Sequence, residues 1–134
     1  MTTVSIASRP KTSGVTRVLI CASSRDHRVT LGILLRSEGY VVQLAKDSAE
    51  GLKLATAYRP DVALLDLEMP DGSGFDVAQE FQRRFGNDCP FLIALATIAS
   101  PTKLGLAEIS GFHHFVAKPY APQELLEVLA SLDP

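Results

Sequence analysis

From residue 17 onward, apolar runs of strand length alternate with longer stretches in which apolar positions recur every three or four residues. The runs are RVLICA, YVVQLA, DVALLD, PFLIALA and HHFVAK. The first intervening stretch, DHRVTLGILLRSEG, has Leu31, Leu34 and Leu35 at helical spacing, and Gly39 suits the position just past a helix end. The second, DSAEGLKLATAYRP, opens with Asp47 and Glu50 three apart, as in a capping box, and stops at Pro60. A third helix puts Val77, Ala78, Phe81 and Phe85 on one face. A fourth starts at Ser100-Pro101 and closes at Gly111, and a fifth turns Leu125, Leu126, Leu129 and Leu132 inward. Five strands alternating with five helices predict a doubly wound α/β fold. Its sheet is parallel, covered on both faces and joined by right-handed crossovers.

The length, 134 residues, suits one domain. Residues 1–15, MTTVSIASRPKTSGV, are rich in Ser and Thr and read as a flexible arm or linker, leaving 16–134 as the folded domain. No apolar run reaches membrane-span length and none resembles a secretory signal, so the expected location is the cytoplasm. The net charge of −2 gives no basic surface for nucleic acid or an acidic membrane. Cys21 and Cys89 have no metal-ligand spacing and read as buried small residues.

Chemistry in such a sheet collects where the strands end at their carboxyl side. The first strand ends in Cys21-Ala22-Ser23-Ser24, the third in Asp66-Leu67-Glu68, the fourth in Ala96-Thr97 and the fifth in Lys118-Pro119. Asp66 and Lys118 are the ionisable pair of this edge. No His accompanies Ser23-Ser24 to activate a nucleophile, and DGSG has too few glycines for a nucleotide loop. His113 and His114, being adjacent, face opposite sides of a strand, and His27 has no ligand-spaced partner.

DVALLDLEMPDGSGFDV resembles the phosphoacceptor segment of response-regulator receiver domains, and HHFVAKPYAPQELLEVL is similar to that family's lysine–proline segment and final helix. The motifs lie in order across residues 17 to 132. The resemblance implies a flavodoxin-like (βα)5 fold with strand order 2-1-3-4-5. It implies that Asp66 accepts a phosphoryl group from a phosphohistidine on a sensor histidine kinase or phosphotransfer protein. Lys118 would contact the phosphoryl oxygens, Pro119 would follow a cis peptide bond, and Gly74 would serve the turn into the third helix. A downstream protein would dock on the face of helix four, strand five and helix five, with Leu106, Phe112 and Tyr120 as candidate contacts.

The chain departs from the family at the same edge. Ala22 and Ser23 stand where the family has two adjacent acids that hold Mg2+. Ala96 stands where it has a Ser or Thr, with Thr97 one place later, and Phe115 fills the aromatic reporter position. Mg2+ would then have Asp66 and the backbone carbonyl of Glu68, which implies weak binding. Asp26 is expected to cap helix one, and the Glu68 side chain to point to solvent. The expected function is a non-enzymatic receiver domain in a two-component phosphorelay. The alternative is a phosphorylation-independent pseudo-receiver that docks other proteins.

Overall fold

The computed structural model describes residues 3–5, 17–69, 72–97 and 100–132. The strands β2 (Arg17–Cys21), β3 (Val41–Ala45), β4 (Val62–Asp66), β7 (Phe91–Ala96) and β8 (His114–Ala117) pair in parallel. Their order is β3-β2-β4-β7-β8. Counted along the chain among themselves, this is the expected 2-1-3-4-5. The switch in direction lies between β2 and β4, so the tips of these two strands flank the crevice where such folds place their sites.

A sixth strand joins them. β1 (Thr3–Ser5) runs antiparallel along the outer edge of β8, with Val4 opposite Phe115. The reading of residues 1–15 as a flexible arm therefore fails for these three residues; the rest of that stretch lies outside the described residues. The reason is local: Thr3 and Val4 are β-branched, and the free edge of β8 offers unpaired backbone groups. The Gly-rich turn after Asp66 is likewise a small antiparallel ribbon, β5 (Glu68–Met69) with β6 (Gly72–Ser73).

The helices are α1 (Arg25–Ser37), α2 (Ser48–Tyr58), α3 (Gly74–Phe85), α4 (Pro101–Ser110) and α5 (Pro122–Ser131). β4 and β7 are buried along their whole length, as expected of central strands covered on both faces. One core layer packs Leu65, Phe81, Leu92 and Phe115 beneath α2, α3 and α4. The other packs Ile20, Leu35, Leu64, Ile93 and Leu125 beneath α1 and α5. Ser24, not Asp26, caps α1, its side chain accepting from the His27 amide; Asp26 occupies the first turn, where its charge suits the helix dipole. Asp47 caps α2 and Ser100 caps α4, and Gly111 ends α4 at φ 99°. Cys21 and Cys89 are both buried thiols.

Candidate functional site

Asp66 is the last residue of β4 and is only 3% exposed. Both of its carboxylate oxygens have a partner. The Glu68 amide donates to Oδ1 at 2.9 Å, and the Lys118 ammonium donates to Oδ2 at 2.6 Å. Lys118 comes from the residue after β8 and reaches over the end of β7, where Ala96 is fully buried and small. The Lys118 amide donates to the Ala96 carbonyl, and the Lys118–Pro119 peptide is cis.

Gly74 starts α3 against this site. A Cβ there would lie 2.8 Å from both the Asp66 carbonyl oxygen and the Leu67 Cα, so any larger residue would push the helix off the strand tip.

Glu68 does not simply face solvent, although its side chain is 48% exposed. Its Oε1 accepts from the Thr97 hydroxyl at 2.6 Å and from the Thr97 amide at 3.2 Å, while its Oε2 lies 3.8 Å from Lys118 Nζ. The Thr97 hydroxyl in particular holds the Glu68 carboxyl below its ordinary pKa. Thr97 thus faces Glu68, one residue past the position that Ala96 fills.

The tip of β2 carries no acid. Ala22 is buried, and the Arg28 guanidinium donates to the Ala22 carbonyl at 2.8 Å and the Ser23 carbonyl at 3.0 Å. A cation is therefore pinned beside the positions where the resemblance places two carboxylates. Among the described residues, no three His, Cys, Asp or Glu side chains gather as a metal site. Receiver domains typically bind Mg2+, a hard ion that takes oxygen donors, several of them water. Here the Asp66 oxygens already accept an ammonium and an amide, the Glu68 carboxylate is engaged by Thr97, and Arg28 adds like charge. These residues fit Mg2+ poorly.

His27 was not singled out by spacing, yet its Nε2 lies 2.6 Å from the Tyr120 hydroxyl. The two rings tilt together beside a groove of about 430 Å³ that Ser24, Leu31, Lys118 and Pro119 also line. Burial lowers the His27 pKa, and the nearby Lys118 charge lowers it further. Burial pushes Tyr120 up to about 12, with Asp66 adding to the effect. The pairing joins residues 93 apart in sequence, so local patterns carried no sign of it.

One of the expected docking contacts is corrected. Phe112 is fully buried in the core, while Tyr120 is half-buried and bonds to His27 of α1. Leu106 is exposed as expected, and Ile109, at 76%, is the larger apolar exposure on α4. Phe115 is buried within the sheet, and His113 accepts from the Leu92 amide through Nδ1.

The model of the response regulator receiver domain matches residues 18–130. This chain belongs to the response-regulator receiver family. The receiver domain is 33% identical over 116 residues to the response regulator MprA of Mycolicibacterium vanbaalenii, covering 87% of this chain and 49% of that protein. The Mycobacterium ulcerans MprA is 32% identical over the same length and coverage. The receiver domain thus spans about half the length of these relatives. Among solved structures, the chemotaxis protein CheY4 of Vibrio cholerae superposes with a TM-score of 0.83 at 28% identity, over 89% of this chain and 99% of that one. A receiver domain protein of Methanospirillum hungatei superposes at 0.81 with 24% identity, over 88% and 93% of the two chains, a likeness of fold. Among the described residues of this receiver domain, no helix is long and apolar enough to cross a membrane.

Proposed function

We propose that this receiver domain takes a phosphoryl group on Asp66 from a phosphohistidine of a sensor histidine kinase or phosphotransfer protein, as a signalling domain of the cytoplasm rather than an enzyme. The observation that supports this most is the buried Asp66 carboxylate at the end of the central strand with the Lys118 ammonium 2.6 Å away. An Asp66 oxygen forms the new bond to phosphorus as the P–N bond to the donor imidazole breaks. The imidazole nitrogen keeps the electron pair and is protonated from solvent. Lys118 stands where the incoming oxygens gather charge, so it can pass from the carboxylate to the phosphoryl group without leaving the site.

Mg2+ contributes weakly in this reading, because of the donor set at β2. The downstream contact is the exposed side of α4, with Leu106 and Ile109 as its apolar positions. The direct test is incubation with acetyl phosphate and Mg2+, followed by intact mass. A phosphate addition that Asp66→Asn abolishes supports the assignment; none in the native protein, at any Mg2+ level, overturns it.

A second reading is a docking module that works without phosphorylation. Ala22, Ser23 and Ala96 favour it, since they remove the groups that would bind metal and phosphoryl oxygen. It predicts that Asp66→Asn leaves binding of the downstream partner unchanged.

A further inference from the structure

The tips of β4, β7 and β8 are tied together by a side chain that the proposed chemistry does not use. Glu68 reaches from the segment after β4 to the residue after β7. There one carboxylate oxygen takes both hydrogen-bond donors of Thr97, its amide and its hydroxyl. The other oxygen lies 3.8 Å from the Lys118 ammonium, which also holds Asp66. An ammonium, a hydroxyl and a backbone amide from two strand tips therefore converge on one internal anion.

These are the donor types that a phosphoryl group on Asp66 would need. We propose that the Glu68 carboxylate is a standing internal substitute for phosphoryl oxygens, occupying the Thr97 donors and sharing Lys118 before any phosphoryl group arrives. This rests on Asp66 being the phosphoacceptor. The consequence is a competition. A phosphoryl group on Asp66 meets Lys118 directly, but it gains Thr97 only by displacing Glu68. It must also enter beside a second carboxylate, which repels it. Thr97, at the end of β7, is accordingly held in place in the resting protein, and phosphorylation exchanges one anion for another.

Neither feature follows from Thr97 alone. A threonine one residue past the strand tip turns away from the Asp66 side. It is the length of Glu68, two residues beyond Asp66, that brings an anion to where Thr97 points.

The test compares the native protein with Glu68→Ala and Thr97→Val, using backbone amide NMR and the rate of phosphate addition from acetyl phosphate. In the unphosphorylated state, Glu68→Ala should shift the amides of Thr97 and of residues 100–111. It should also raise the rate of phosphate addition on the order of tenfold, by removing a negative charge about 4 Å from the Lys118 ammonium. Thr97→Val should move the same amides with a much smaller gain in rate, because the carboxylate stays. Beryllofluoride should move the Thr97 amide less in the native protein than in Glu68→Ala. A Thr97 amide indifferent to Glu68→Ala, or an unchanged or slower rate in that variant, overturns the proposal. If no variant gains phosphate, the role of Asp66 is what fails, and the Thr97 amide of the unmodified proteins still decides whether Glu68 holds Thr97.

Discussion

The ammonium of Lys118 lies 2.6 Å from an oxygen of Asp66 although their strands, β8 and β4, are not neighbours. β7 runs between them and ends in Ala96, and the lysine crosses its tip. The pair is mostly buried, with the carboxylate more enclosed than the lysine. Two opposite charges in such a place stabilise each other, and removing one leaves the other poorly solvated.

Asp66→Asn should therefore destabilise the domain. Glu68, 3.8 Å from the ammonium and open to water, is a partial substitute for the lost anion. The expected cost is about 1–3 kcal/mol in urea denaturation. A site crowded with unpaired acids would respond in the opposite sense, so a gain in stability would show that further carboxylates press on Asp66.

Mg2+ should have little effect on folding. For a ligand present at about a tenth of its dissociation constant, mass action adds under about 0.1 kcal/mol. With Asp66 already paired and Arg28 fixed at the β2 tip, millimolar Mg2+ belongs in that regime. The melting temperature should move by less than about 1 °C. A rise of several degrees would mean that the strand tips rearrange to build a metal site.

Gly74→Ala should be costly for a small change. Its methyl would sit 2.8 Å from the Asp66 carbonyl oxygen and the Leu67 Cα, both backbone atoms that cannot step aside alone. A loss of about 1–3 kcal/mol is expected, together with slower phosphate addition because Asp66 moves with its own backbone. Native-like stability and rate would place α3 farther from the β4 tip.

Acid should weaken the fold through His27. Burial and Lys118 lower its pKa in the folded state, while Asp66 pulls the other way. A lowered folded value means that the unfolded chain binds the proton more readily. The stabilisation is thus complete above the unfolded value, about 6.5, and is lost as pH falls through the lowered folded one. His114, lowered by burial, acts with the same sign. Denaturant midpoints should fall between about pH 7 and about pH 5, and His27→Gln should remove part of that slope. An identical slope in the variant would assign it to His114 and the carboxylates.

The alternation of short apolar runs with helical repeats fixed the five parallel strands, because each strand is covered on both faces and has little freedom to be polar. Asp66 and Lys118 were legible for the same reason: each is a charge at the end of such a run. The partners of Glu68, Arg28 and His27 were not. All three are long or ring side chains whose contacts depend on where neighbouring loops pass in space, and Arg28 in particular reads from sequence as one more polar helix residue. Phe112 was misplaced because it follows Gly111 in a segment read as surface; the turn at Gly111 instead drops it into the core beside Phe75. β1 was missed since three residues are too few to show a period.

That short strand has a consequence for the order of assembly. β1 pairs residues 3–5 with residues 114–116, so its hydrogen bonds close a loop that takes in nearly all of the described chain. Contacts this distant in sequence close late, after the local helices and the inner strands have made them worthwhile. The same three residues bring few backbone bonds to the finished sheet, so their amide hydrogens should exchange with solvent sooner than those of β4 and β7. The β8 edge would then cycle between covered and bare while β4 and β7 stay shut, and a strand from elsewhere would find its opening there during the bare interval.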